Sequence, residues 1–260
     1  MDGVLDVIVG TGLGFLYVLS GDTGKLRRGF PVEMGPIQAG VACGDLLGDG
    51  SMAIVACDTL GNVAAFNAGA RVQWSQFVCN SQSCMFFSAG AMLWDRVVSG
   101  SVSQAPTLAD LDGDGTLEVV CATSSGDIVV LKGKDGSYMP NFPVRTGDRI
   151  ISPVLVLPFP EDAMLGGSQG EYAMPRLLVP SFDGLVYIVS SQTGCTDWVD
   201  IGEQAYSMPL VSDLDGNGYL DLLLTTMNGN AFALQTEIPF DPMLTWQQQV
   251  QCGRNGATWR

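Results

Sequence analysis

The sequence predicts an all-β protein, specifically a β-propeller of four-stranded blades, with about five blades visible in 260 residues. Three observations support this prediction: the glycine content, a strand–turn–strand pattern that occurs five times, and further strand candidates between its copies. The 33 glycines and a charged fraction of only 15% are typical of many short strands joined by tight turns. A helical bundle would not have this composition.

The repeated unit has the pattern of a β-hairpin, with an apolar strand, a polar turn containing glycine, and a second alternating strand. Its five copies are residues 5–24, 52–70, 117–136, 176–194 and 220–237. Four strands in a repeat of roughly 45 residues indicate a propeller blade. The alternative is a sandwich of unrelated hairpins, which would not explain five correlated copies.

Two further strand candidates lie between successive hairpins. One occurs at 29–34, 141–146 and 195–201, and the other at 38–46, 104–111, 151–157 and 207–214. Two long stretches, 74–100 and 158–175, interrupt the repeats, and we expect both to be loop excursions. We therefore assign residues 1–237 to propeller blades and 238–260 to a C-terminal extension.

Charge and composition exclude several classes of function. The 12 basic and 27 acidic residues give a net charge of −15, which repels phosphate backbones and makes nucleic acid an unsuitable partner. The chain has no histidine, so catalytic systems and metal sites that need imidazole are excluded, and we expect no enzymatic activity. The longest apolar runs, about eight residues, are too short to span a bilayer.

Two nine-residue segments, DLDGDGTLE (110–118) and DLDGNGYLD (213–221), carry acidic or amide oxygens at positions 1, 3, 5 and 9. Glycines let such a loop curl around a centre, and position 7 offers its carbonyl oxygen. Ca²⁺ takes six to eight oxygens in flexible geometry, whereas Mg²⁺ demands a strict octahedron. The predicted ligands of two Ca²⁺ sites are Asp110, Asp112, Asp114, the Thr116 carbonyl and Glu118, and Asp213, Asp215, Asn217, the Tyr219 carbonyl and Asp221.

Two other interpretations of these segments are weaker. An EF-hand needs a bidentate Glu at position 12, where this chain has Cys121 and Leu224, and it needs flanking helices. A metal-free Asp-Gly turn would use its aspartate oxygens to accept bonds from backbone amides. Two near-identical segments in register with the fold repeat favour calcium over that turn.

Two more segments keep part of the acidic pattern. In DLLGDGSMA (45–53), Asp45 and Asp49 remain but positions 3 and 9 are Leu47 and Ala53, so we expect a loop of the same shape without tight metal binding. Near the start of the chain, Asp2 and Asp6 align with positions 5 and 9, which is half of a metal site. Positions 1 and 3 would precede Met1, so we expect the chain to be a fragment of a longer protein.

Five of the seven cysteines fall into two groups. Cys43, Cys57 and Cys121 lie in apolar stretches and are expected to be small core residues. Cys79 and Cys84, in CNSQSC, could close a small disulfide if the compartment is oxidising.

The acidic segment with its following hairpin resembles the FG-GAP repeats of integrin α-subunit β-propellers and their relatives. The resemblance covers residues 1–237, although QAPTLADL and SMPLVSDL stand where the Gly-Ala-Pro signature would be. It implies a parent ring of seven blades, with calcium bound by acidic loops on one face. This chain would then form a partial or open ring.

The GFPV and NFPV segments and the tail CGRNGATWR are similar to a family of plant and algal proteins named for defective exine formation. That resemblance implies an extracellular or secretory-pathway location, including the ectodomain of a membrane protein, and a role in cell-wall or exine assembly. The expected function is a non-catalytic calcium-binding scaffold whose partner is a protein or a cell-wall polysaccharide.

Two enzymatic alternatives stay open. Segments 16–25 and 186–194 resemble the strand-plus-Thr-Gly repeats of quinoprotein propellers, but the regular tryptophan docking motif of those enzymes is missing. A carbohydrate-active propeller would use carboxylates such as Asp162 or Glu171, although nothing in the sequence singles out a pair.

Overall fold

The computed structural model describes residues 5–68, 75–79, 84–88, 92–159 and 174–240. All regular secondary structure in these ranges is β-strand, paired in antiparallel sheets. Within them there is no helix that could cross a membrane.

Apart from one two-stranded hairpin, the described strands form five sheets in chain order, which we number as blades 1 to 5. Blade 1 contains β1 (Val7–Gly10), β2 (Phe15–Leu19) and β3 (Val32–Glu33). Blade 2 contains β4 (Ala42–Gly44), β5 (Ala53–Cys57), β6 (Asn62–Asn67) and β9 (Met92–Val97). Blade 3 contains β10 (Thr107–Ala109), β11 (Glu118–Ala122), β12 (Asp127–Leu131) and β13 (Val144–Arg145).

Blades 4 and 5 repeat the same strand order. Blade 4 contains β14 (Leu155–Phe159), β15 (Met174–Pro180), β16 (Leu185–Ser190) and β17 (Thr196–Asp200). Blade 5 contains β18 (Leu210–Ser212), β19 (Tyr219–Thr225) and β20 (Ala231–Pro239). A separate hairpin, β7 (Ser75–Cys79) and β8 (Cys84–Ser88), is inserted in the sequence between the third and fourth strands of blade 2.

The all-β propeller prediction is confirmed, and each of the five predicted hairpins is an antiparallel pair. The strand candidates between the hairpins also form strands in these blades. The interpretation of 74–100 as a loop excursion is wrong, because it contains the β7–β8 hairpin and β9, the fourth strand of blade 2. In blade 5, β20 continues to Pro239, two residues past the predicted end of the blades at 237.

A blade in the middle of the array is buried on both faces, because it lies between two other blades. Successive side chains of a strand point to opposite faces of the sheet. In β5, Ile54 and Ala56 pack in a cluster with blade 1 residues, whereas Val55 and Cys57 pack in a cluster with blade 3 residues. This arrangement explains why the central strands are continuously apolar rather than alternating.

The hydrophobic core is therefore divided into layers, one between each pair of neighbouring blades. The main residues of the layers are Leu16, Val18 and Phe66 for blades 1 and 2, Val63, Val119 and Leu131 for blades 2 and 3, Ile128, Leu177 and Val189 for blades 3 and 4, and Leu157, Leu178 and Leu222 for blades 4 and 5.

The buried Asp58, at the turn between β5 and β6, links blade 2 to the segment that follows blade 1 through a hydrogen bond. Asp58 is fully buried, and its Oδ2 accepts a hydrogen bond of 2.8 Å from the N–H of Gly35, in the segment that leads into blade 2. Its Oδ1 accepts bonds of 2.9 Å from the N–H groups of Leu60 and Asn62. This contact cannot be predicted from the sequence, because an aspartate before a glycine turn indicates only a local turn.

Blade 2 also holds the segment 132–137 between β12 and β13 of blade 3. The indole N–H of Trp94 donates to the carbonyl of Gly133 at 2.7 Å, and the Arg96 guanidinium donates to the carbonyl of Gly136 at 2.8 Å. A Cβ at Gly136, where φ is +67°, would lie only 2.6 Å from the Trp94 ring. Glycine is required there both by the backbone conformation and by the close approach of the ring.

The cysteines agree with prediction where their side chains are described. Cys43, Cys57 and Cys121 are buried, as expected of core residues. The backbone register places Cys79 opposite Cys84, but the side chains of both lie outside the described part of the chain, so their disulfide stays a prediction.

Removal of a side chain between two blades should destabilise the whole fold. Phe66 is fully buried between blades 1 and 2, where its ring packs edge-on against Phe30 at a centroid distance of 6.4 Å. We expect Phe66→Ala to lower the free energy of unfolding by about 3–5 kcal/mol, measured by urea denaturation.

The matched control is Leu60→Ala, at a side chain that is 68% exposed, for which we expect a change below about 0.5 kcal/mol. Equal effects of the two substitutions would contradict the layered core.

Candidate metal centres

Three acidic loops join the first and second strands of their blades. We call them the blade-2 loop (45–53), the blade-3 loop (110–118) and the blade-5 loop (213–221). Because each blade repeats the same strand order, the loops emerge on the same face of the array.

The first aspartate of each loop holds the loop in shape. Asp110 Oδ1 accepts a bond of 2.7 Å from the N–H of Gly113, and its Oδ2 accepts one of 3.0 Å from the N–H of Gly115. Asp45 and Asp213 accept the same two bonds from glycines three and five residues later. These glycines have φ between +70° and +83°, which permits the curl. The blade-2 loop therefore has the shape that was predicted for it.

The last carboxylate of the blade-3 and blade-5 loops is buried beneath the loop. Glu118 is 2% exposed and Asp221 is 5% exposed. Each accepts the N–H of the leucine at position 2: Leu111 donates to Glu118 Oε2 at 2.8 Å, and Leu214 donates to Asp221 Oδ2 at 2.9 Å. The blade-2 loop has Ala53 at this position and lacks the carboxylate.

Three carboxylates converge in each of these two loops. One oxygen from each of Asp110, Asp112 and Glu118 lies within 4.8 Å of the others, and the same holds for Asp213, Asp215 and Asp221. Calcium–oxygen distances of about 2.3–2.6 Å allow oxygens on opposite sides of one ion to be about 5 Å apart. Both sets therefore fit a single Ca²⁺ ion by spacing and by donor type.

The side chains at position 5 accept hydrogen bonds from the residue two positions later in their own loop. Asp114 is outside the converging set, and its carboxylate accepts hydrogen bonds from the Thr116 N–H at 2.8 Å and from the Thr116 hydroxyl. Asn217 Oδ1 accepts the Tyr219 N–H at 2.7 Å. The carbonyls of Thr116 and Tyr219 stay predicted ligands.

Lys134, which the sequence analysis did not consider, also contacts the blade-3 loop. Its ammonium lies 2.9 Å from Asp114 Oδ2. Hydrogen bonds from Thr116 and then from Lys134 lower the pKa of Asp114 to about 2. The residue is 20 positions away from Asp114 in the chain, so only the three-dimensional pairing of β11 with β12 reveals the contact.

The blade-3 loop stabilises a proton on its buried acid. Burial raises the pKa of Glu118 to about 7, and the negative charges of Asp112, Asp110 and Asp114 add to the effect, against the hydrogen bond from the Leu111 N–H. A divalent cation at the centre would reverse the effect of these charges, because it favours the ionised carboxylates.

Asp6, one of the two residues of the predicted half-site near the start of the chain, forms a salt bridge with Arg27. Arg27 donates to both oxygens of Asp6, from Nε at 2.9 Å and from an Nη at 2.7 Å. Asp2 lies outside the described residues, as do Asp162 and Glu171.

Position 2 of each loop is a leucine, and in the blade-2 and blade-3 loops it reaches the interface with the next blade. Leu46 and Leu111 are both 0% exposed and belong to the layers between blades 2 and 3 and between blades 3 and 4. Leu214, the equivalent residue in blade 5, is 53% exposed. The N–H group that donates to Glu118 therefore belongs to Leu111, whose side chain packs in the core between blades 3 and 4.

Comparison with known proteins supports the fold. No family model matches the sequence, and no curated protein matches it. The crystal structure of BamB from Moraxella catarrhalis is similar, with a TM-score of 0.51 and 17% identity over 88% of this chain and 61% of that chain. The crystal structure of BBS1N in complex with ARL6DN has a TM-score of 0.53 and 14% identity over 91% of this chain and 57% of that one. This chain spans about three fifths of the length of both.

Calcium-free protein should lose stability as the pH rises from 5.5 to 8. The folded-state pKa of Glu118 is about 7, above the ordinary value of 4.5, so its protonated form stabilises the fold at low pH and that contribution is lost as the pH rises through 7. We expect a loss of about 1–2 kcal/mol, less than the full shift would give, because water solvates the outer side of the loop.

The measurement is urea denaturation with a chelator at several pH values. The chain has no histidine to titrate in this range. Glu118→Gln, which is neutral at every pH, should flatten the profile. The same slope in both proteins would exclude Glu118 as its source.

Proposed function

We propose that this protein is a non-catalytic, calcium-binding β-propeller scaffold that binds a protein or a polysaccharide through its loops. The observation that carries the proposal is the convergence of three carboxylates in two equivalent loops, each with a buried acid at position 9. Burying a carboxylate among other carboxylates is costly without a compensating cation. Calcium supplies that compensation and suits oxygen donors at this spacing.

Calcium binding would stabilise the packing between blades. Glu118 begins β11 and accepts the N–H of Leu111, whose side chain lies in the layer between blades 3 and 4. An ion that fixes Glu118 would therefore also fix the position of Leu111. Through this link, occupancy of the loop would restrict the angle between the two blades.

The side chains of this protein favour a scaffold over an enzyme. It has no histidine, and the first and last carboxylates of the blade-3 and blade-5 loops accept backbone N–H groups rather than being free for proton transfer. The similar BBS1N domain is crystallised in complex with another protein, ARL6DN, which supports a protein partner here. The net charge of −15 favours partners with basic surfaces.

The proposed setting is the extracellular space or secretory pathway, with a role in cell-wall or exine assembly. The resemblance to FG-GAP and exine-formation proteins supports it, and millimolar extracellular calcium would fill loops of modest affinity. Isolation of native complexes with calcium and with chelator tests the partner class. Recovery of the same proteins and polysaccharides under both conditions would contradict calcium-dependent binding.

Calcium removal should lower the melting temperature, and calcium should restore it. Two bound ions are expected by titration calorimetry of the wild type. Asp112→Ala and Asp215→Ala should each abolish binding of one ion, because each removes one of three converging oxygens. An unchanged melting temperature together with no heat of binding would exclude calcium.

The blade-2 loop offers the converse experiment. It has the same glycine-stabilised shape but has Leu47 and Ala53 where the blade-5 loop has Asp215 and Asp221. The double variant Leu47→Asp, Ala53→Asp should bind a third ion. Each single variant is the matched control and should bind two. A folded double variant, checked by circular dichroism, that still binds two ions would show that the converging carboxylates are not sufficient.

A further inference from the structure

Lys134 places a positive charge on the blade-3 loop from the segment between β12 and β13. Its ammonium is 2.9 Å from Asp114 Oδ2, and both side chains are about half exposed. Asp114 is the acidic residue of this loop that does not converge with the other three. Among the residues that the structure describes, no basic side chain pairs with Asp213, Asp215 or Asp221 of the blade-5 loop.

We propose that Lys134 is a built-in competitor for the cation of the blade-3 loop, which weakens this site independently of the blade-5 site. The inference rests on the proposed calcium function. Its chemistry is a competition between an ammonium and a divalent cation for one carboxylate. The ion can recruit Asp114 only if Lys134 releases it.

Two physical effects act in the same direction. The ammonium occupies Asp114, so the loop offers one carboxylate fewer to the ion. Its charge also reduces the negative potential of the cluster, and Lys134 remains tethered nearby after it is displaced. An exposed pair of this kind is weak, so the expected effect on affinity is about three- to fivefold rather than an all-or-none switch.

The segment that carries Lys134 is firmly placed. Trp94 and Arg96 of blade 2 bind the carbonyls of Gly133 and Gly136 on either side of it. The lysine is therefore presented to Asp114 from a fixed backbone, which distinguishes it from a surface lysine on a free loop.

The experiment is calcium titration calorimetry of Lys134→Gln in the 260-residue chain. Asp215→Ala, which removes the blade-5 ion, is used as a second background, so that the titration measures only the blade-3 site. We expect Lys134→Gln to tighten calcium binding at this site about three- to fivefold. The matched control is Lys132→Gln, which removes the same charge from the same segment without touching Asp114.

The outcomes separate this inference from the proposed function. If the wild type binds no calcium, both fail. If it binds two ions and Lys134→Gln leaves both affinities unchanged, or if Lys132→Gln tightens binding equally, only the role of Lys134 is overturned. Should Asp215→Ala fail to fold, the two-site titration of Lys134→Gln in the wild-type background decides the same question.

A second measurement follows the chemical reactivity of the Lys134 amine. If Lys134 weakens calcium binding, calcium must by linkage weaken the contact of Lys134 with Asp114. Brief acetylation of the protein, followed by mass spectrometry, should show that Lys134 reacts faster with calcium than with chelator, relative to Lys132. Equal rates at Lys134 in the two conditions would contradict the exchange.

Discussion

A sheet that is packed between two others has no face toward solvent, so the interiors of its strands are apolar on both faces. In blades 2 and 3 this constraint is met by β5 and β11, which are buried along their whole length. Polar groups are thereby excluded from the strand interiors and concentrate where strands begin, end or turn. The chemistry of this protein consequently lies at the loops, and the layers between blades determine where each loop is placed.

The acidic loops show how the constraint produces a site. In the blade-3 loop, position 2 is a leucine that enters the next layer, and position 9 is an acid at the start of a buried strand. Between them the glycines and the first aspartate shape the curl, which the blade-2 loop retains although it lacks two of the acids. Loop shape and metal ligands are therefore separate properties, and one can be lost without the other.

Much of the fold was predictable because its signals are local. Hairpins were recognised from alternating strands and glycine turns, and the converging carboxylates from their spacing within nine residues. The missed features depend on contacts distant in sequence or on insertion of a hairpin. β9 follows the β7–β8 hairpin and was therefore out of register with the repeat. Lys134, Arg27 and the link from Asp58 to Gly35 were not predicted, because each partner lies about 20 residues away.

The placement of Trp94 has a spectroscopic consequence. Its indole is buried at the seam between blades 2 and 3, covers Gly136 and is bonded to Gly133, the residue before Lys134. Trp198 is 61% exposed on the outer strand of blade 4. A buried indole emits at shorter wavelength than a hydrated one, and because the chain has five tryptophans, the emission of Trp94 is isolated in a variant that keeps this ring alone. The fold thus contains an intrinsic optical reporter for the segment that touches the blade-3 loop, and no dye needs to be attached to observe it.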